Sequence, residues 1–179
     1  MRLFIAVLLD DPVRSALRSV QDNLRARSVK GRFSSPENLH LTLAFLGELP
    51  GTTLDLVKSC MDKAVSGFAA PLTLACSHLD RFSRREGDLY YAALFPSPGL
   101  LQLHAQLIEA LSGANLPYDP KPFRPHLTLG RNVVLQPGAS MESIPFAVPD
   151  LSVSSIALME SKRVQGTLVY TPRYRAYLV

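Results

Sequence analysis

The chain has 179 residues, 47% of them apolar and 19% charged, with two cysteines, no tryptophan and a formal net charge of +4. Such a chain has the material for one globular domain with a real core, and it contains nothing approaching the ~18 uninterrupted apolar residues of a helical membrane span. The basic excess is mild and evenly spread, with 12 Lys/Arg against 10 Asp/Glu over residues 1–89 and 7 against 5 over residues 90–179, which permits a polyanionic partner without demanding one.

Arg2–Leu9 is an apolar run of strand length. Asp10 and Asp11 follow at once with no small-residue cleavage site, so it reads as the first strand of a cytoplasmic protein and not as a secretion signal. Asp11-Pro12 is the N-cap and first residue of a helix whose Val13, Ala16, Leu17, Val20 and Leu24 recur at helical spacing. Lys30-Gly31-Arg32 ends that unit, and Asn38–Leu46 is a second strand. Thr52 or Thr53 caps a second helix carrying Val57, Met61, Ala64, Val65 and Phe68. Leu72–Leu79 and Asp88–Phe95 are strand-like, separated by an arginine-rich polar loop, Asp80–Gly87. Ser97-Pro98 opens a third helix that Gly113 closes. His126–Gly130, Ser152–Glu160 and Val169–Val179 supply the remaining strands. The order β-α-β-α-β-β-α-β-β-β predicts an α+β fold and not a regularly alternating parallel sheet.

One four-residue word occurs twice: His40-Leu41-Thr42-Leu43 and His126-Leu127-Thr128-Leu129. In a strand, alternate side chains share a face. Each word therefore sets an imidazole and a hydroxyl on one face and leucines on the other. A single copy is most simply a half-buried strand; two copies in equivalent settings point to a shared task. A threonine hydroxyl can donate to a phosphate oxygen, and a histidine can give or take a proton near neutrality. Two such pairs facing one another would hold a phosphoryl group with an imidazole on each side, one to deprotonate the incoming oxygen and one to protonate the leaving oxygen.

The longer segments Pro36–Glu48 and Phe123–Arg131, which enclose the two words, together with Arg2–Val7 at the start and Leu158–Lys162, Gly166 and Tyr170 near the end, resemble the two-histidine phosphoesterases, and within them the bacterial and archaeal RNA 2′,3′-cyclic phosphodiesterases, also called 2′-5′ RNA ligases. The resemblance implies a single bilobal domain over residues 1–179, with two pseudo-symmetric lobes, each with an antiparallel sheet and flanking helices, and an active-site cleft between them. It implies hydrolysis of an RNA terminal 2′,3′-cyclic phosphate to a 2′-phosphate. His126 would be the proton acceptor that activates water and His40 the proton donor to the departing 3′-oxygen, with Thr42 and Thr128 on the non-bridging oxygens and Arg131 as a further phosphate contact. The expected partner is RNA ending in a cyclic phosphate, and the expected state a monomer away from membranes. ATP-independent 2′-5′ ligation or cleavage, and non-catalytic binding of RNA ends, are the alternatives. The chain departs from the family where an aromatic, frequently tryptophan, precedes the first motif (here Phe33) and where a central strand often reads Arg-Val-Leu-Trp (here Asp88–Tyr91).

Other residues carry weaker signals. Arg81, Arg84 and Arg85 could track an RNA backbone or simply form a solvated loop. Phe123 could stack on a base, whereas Phe45 faces the core if the strand alternation continues unbroken. His78 and His104 are read as structural. Cys60 and Cys76 belong to no CxxC or Cys/His cluster and are read as buried thiols. The sequence holds no P-loop, no GxGxxG and no metal-ligand constellation, so neither a cofactor nor a metal is expected.

Overall fold

The structure is a computed structural model and describes residues 1–68 and 71–178. In chain order the strands and helices are β1 (Arg2–Leu8), α1 (Asp11–Ala26), β2 (Ser28–Phe33), β3 (His40–Glu48), α2 (Leu54–Val65), β4 (Leu72–Leu74), β5 (Cys76–Phe82), β6 (Asp88–Leu94), α3 (Pro98–Gly113), β7 (His126–Leu135), β8 (Leu151–Val153), β9 (Ser155–Val164) and β10 (Thr167–Tyr177). Val179, the expected end of the final strand, lies outside the described residues.

Local chemistry accounts for most element ends. The carboxylate of Asp10, and not that of Asp11, caps α1 by accepting from the Val13 amide at 3.0 Å, with Pro12 in the first turn. The hydroxyl of Ser97 caps α3 in the same way. Thr53 is the N-cap residue of α2, as one of the two expected positions, but its side chain makes no capping bond: a 3-10 turn over Gly51–Thr53 leads into the helix, and the Thr53 hydroxyl donates to the Pro50 carbonyl. Lys30-Gly31-Arg32, expected to end the α1 unit, lies within a strand, β2. Four of its six residues are exposed and two of those are basic, so no apolar alternation announces it.

All sheet pairings are antiparallel, as the α+β reading requires, and the main sheet runs β10-β9-β1-β3-β7-β6-β5 with β2 also on β7. It divides into two four-stranded halves, β10-β9-β1-β3 and β2-β7-β6-β5, joined at a single residue pair, Leu41 opposite Leu127. α1 lies on the second half against β2 and β7; α2 and α3 pack on each other and on β3, β9 and β10. These helices cover one face of the sheet and close the core there, around Leu3, Ile5, Leu17, Leu41, Leu103 and Leu127. Among the described residues, the other face carries no helix of its own. Cys60 and Cys76 are free thiols, buried and half-buried. Among the described residues, no helix is long and apolar enough to cross a membrane.

Candidate active site

Both repeated words open strands that meet at the seam. Leu41 and Leu127 are 1% and 0% exposed, so both point into the helix-covered core. Antiparallel pairing about them sets Thr128 beside His40 and His126 beside Thr42, with all four polar side chains on the open face. The seam is thus a local two-fold axis. It joins two positions 86 residues apart, and the sequence-predicted quartet forms one cluster.

The two imidazoles are held alike. His40 Nδ1 lies 2.7 Å from the Asn38 carbonyl, and His126 Nδ1 lies 2.6 Å from the Arg124 carbonyl. A carbonyl only accepts, so each Nδ1 carries its hydrogen and each neutral ring presents a basic Nε2. His40 Nε2 is 3.0 Å from the Thr42 hydroxyl. That hydroxyl donates to the neutral ring and accepts from the protonated one.

Arg131 is three residues beyond Thr128, and in a regular strand it would face the core. A bulge changes that phase. Opposite β6, Tyr91 pairs with Thr128 but Tyr90 pairs with Gly130, leaving Leu129 as the extra residue. Leu129 and Gly130 are both turned inward, and Arg131 returns to the histidine face. The bulge is pinned from α1: the buried Gln21 amide donates to the Leu129 carbonyl at 2.9 Å and to the Ser34 carbonyl at 2.8 Å. The first word has the same irregularity, because Ile5 pairs with Ala44 but Ala6 with Thr42, making Leu43 the extra residue. Phe45 therefore faces the histidines and not the core, which corrects the expectation from unbroken alternation. It packs with Phe4, Met159 and Tyr170 in a small apolar cluster on the open face, with the Arg2 guanidinium 5.1 Å above its ring. By the two-fold relation, Phe45 and Arg131 are counterparts, and the quartet is flanked by an aromatic at one end and a cation at the other.

Four aromatic neighbours were not among the expected site residues. His40 lies 4.8 Å from the Phe4 ring and 5.3 Å from the Tyr170 ring, centroid to centroid. His126 lies 5.6 Å from Phe82 and 5.3 Å from Tyr91, which stack on one another. These residues reach the histidines from β1, β10, β5 and β6, so only cross-strand pairing reveals them. Phe33 turns to the α1 side beneath Arg25, and Phe123 stacks on His104 at 3.9 Å against the main core. Phe33 is thereby turned away from the histidines, and His104 packs face to face with Phe123. His78 is exposed, 3.6 Å from Asp80, whose carboxylate also accepts from the Tyr91 hydroxyl. A hollow lined by Arg18, Gln21, Arg25 and Phe33 lies on the α1 side, away from the histidines.

Residues 9–165 match the family described as the 2′-5′ RNA ligase superfamily. The chain belongs to this superfamily. An RNA 2′,3′-cyclic phosphodiesterase of Thermus thermophilus is 31% identical over 178 residues, covering 96% of this chain and 87% of that protein. Another, from Geobacillus stearothermophilus, is 28% identical over 96% of this chain; the match spans only 54% of that relative's length. A crystal structure of a Thermus thermophilus protein superposes with a TM-score of 0.82 at 28% identity, covering 99% of this chain and 98% of the other.

In this member of the superfamily both imidazoles are held below their ordinary pKa, first by burial. The Asn38 and Arg124 carbonyls oppose that shift by accepting from Nδ1–H, and the Arg131 charge adds to it by disfavouring a second cation nearby. Both rings are therefore mainly neutral in the free protein at pH 7. Arg131→Gln removes the charge, so both imidazole titrations, followed by NMR of the ring protons, are expected to move to higher pH. No movement, or movement downward, would show that the guanidinium does not act on them.

Proposed function

We propose that the protein hydrolyses the 2′,3′-cyclic phosphate at an RNA end and leaves a 2′-phosphate. The observation that carries this reading is the convergence of both His-x-Thr pairs on one face of the seam, each imidazole oriented by a carbonyl on Nδ1 and presenting Nε2. The relatives' name, RNA 2′,3′-cyclic phosphodiesterase, supports it. The phosphate occupies the quartet with Thr42 and Thr128 on non-bridging oxygens and Arg131 on the anionic charge. Neutral His126 takes a proton from water as the water oxygen attacks phosphorus. Protonated His40 delivers its proton to the 3′-oxygen as the P–O3′ bond breaks. Substrate anion entering the site favours the imidazolium on His40 and offsets the depressed pKa of the empty cleft. The working unit is one bilobal domain over residues 1–179, a cytoplasmic monomer acting on RNA.

The test is incubation with RNA ending in a cyclic phosphate, followed by identification of the product isomer. A 3′-phosphate product would mean that the substrate lies the other way round between the histidines. Taking a proton from water at His126 and giving one to the leaving oxygen at His40 requires no metal, and among the described residues no group of three or more His, Cys, Asp or Glu side chains could hold one. Turnover is therefore expected to be unchanged in excess EDTA. Complete loss, restored by one divalent ion, would count against the mechanism.

A further inference from the structure

Asn38, two residues before His40, has three of its polar groups engaged. Its amide donates to the Ser35 carbonyl at 2.9 Å, its carbonyl accepts from His40 Nδ1 at 2.7 Å, and its side-chain amide donates to the Leu168 carbonyl at 2.9 Å. The last of these bonds joins distant parts of the sheet. Pairing along β1 sets Leu8 level with His40, and Arg2 level with Ser161, which pairs in turn with Tyr170. Leu168 therefore lies beyond the Arg2 end of the first half, on β10 at one margin, and Asn38 lies beyond the Leu8 end, at the β3 margin. In a flat sheet the length of β1 alone would hold them ~20 Å apart, at ~3.3 Å per residue. They are diagonal corners. They meet because the half-sheet is twisted, and because bulges at Leu43 and Arg173 bend it further.

The corners meet over the open face. Tyr170, two residues from Leu168, turns its ring there, 4.9 Å from Phe4 and 5.3 Å from His40. Residues 162–169 of the β9–β10 hairpin are exposed. Among the described residues, the bond to Asn38 is the one hydrogen bond that joins residues 162–169 to an element outside β9 and β10. Asn38 itself belongs to a single 3-10 turn, Pro36–Asn38, whose closing bond from the Leu39 amide is 3.3 Å long. Such turns have poor hydrogen-bond geometry. The Leu168 tie therefore adds a fixed point to the residue whose carbonyl orients His40. The second histidine has no such tie: the Arg124 carbonyl holds His126 in the same way, but among the described residues the Arg124 side chain makes no hydrogen bond.

We propose that Asn38 is a positioning residue for His40: its tie to Leu168 keeps its carbonyl on Nδ1, so that Nε2 stays presented to the leaving oxygen. The role belongs to the acid of the pair and not to the base. It rests on the cyclic-phosphate reading of the quartet for the leaving oxygen; the hold on the ring does not depend on that reading.

The test uses Asn38→Ala and the near-isosteric Asn38→Leu, which remove the side-chain donor and keep the backbone carbonyl. Ring-nitrogen NMR of the free protein is expected to show neutral His40 as the Nδ1–H tautomer in the parent, and mixed with the Nε2–H form in both variants. The His40 titration should move to lower pH, because a carbonyl accepting from Nδ1–H favours the charged ring. The charged neighbours of His40, His126 and Arg131, are the same in all three proteins. His126 should change in neither respect. On RNA ending in a 2′,3′-cyclic phosphate, kcat is expected to fall about two- to tenfold, the worth of one neutral hydrogen bond, with KM within about twofold of the parent. With sulfur as the 3′ leaving atom, which needs no proton, that loss should disappear. An unchanged His40 tautomer and titration would overturn the proposal, as would an equal change at His126 or equal losses on both substrates. If the parent protein hydrolyses neither substrate, the reading of the quartet fails, and the NMR comparison still decides the role of Asn38.

Discussion

Replacing His126 with alanine is expected to lower kcat by ~10²–10⁴-fold, and His40→Ala by a comparable factor, since each removes one general acid or base. Folding should be little affected: both rings are half-buried on the open face, and their main fixed contacts are hydrogen bonds to local carbonyls. Thr42→Ala and Thr128→Ala should cost less, because a neutral hydrogen bond contributes only ~0.5–1.5 kcal/mol. The two histidines are distinguished by a substrate with sulfur in place of the 3′-oxygen. A thiolate departs without a proton, so this substrate should largely rescue His40→Ala and leave His126→Ala impaired. Rescue of the His126 variant alone would reverse the roles, and parental turnover in either variant with the ordinary substrate would refute acid–base catalysis by these groups.

Leu41→Ala should produce the largest loss of stability, about 2–5 kcal/mol, as expected for a fully buried leucine whose cavity cannot collapse. At ~2–4 °C per kcal/mol for a chain of this size, that is a fall in Tm of roughly 4–20 °C. Leu127→Ala should behave similarly. The two leucines are direct cross-strand partners, so the double variant is expected to depart from the sum of the single effects. Equilibrium urea unfolding measures all three. A cost below about 0.5 kcal/mol for either single variant would mean that the seam is not held by this pair.

The histidine pairs were legible because alternation in a strand has a short, local period and the same word occurs twice. The helices were legible for a related reason, with Val13, Leu17, Val20 and Leu24 recurring on the buried face of α1. Phe45 was misread because its orientation depends on the bulge at Leu43, a property of the pairing with β1 and not of the strand's own sequence. The same dependence explains why Phe4, Phe82, Tyr91 and Tyr170 were missed: each reaches a histidine from a different strand. β2 was missed because an exposed, basic strand on β7 has no apolar period to reveal it. The cap of α1 was displaced by one residue between two adjacent aspartates, and only the bond to Val13 distinguishes them.

The interleaving of the two sheet halves has a consequence for how the chain acquires its structure. The half that carries His126 is assembled from β2, β5, β6 and β7, all of which have been synthesised by Leu135. The half that carries His40 places β1 between β3 and β9, so its first strand lacks a partner on one edge until Ser155–Val164 has emerged. Pairing strands so distant in the chain incurs loop-closure entropy before any pairing energy offsets it, which slows that pairing. During synthesis the second-histidine half can therefore close first, and the first-histidine half waits with an open β1 edge.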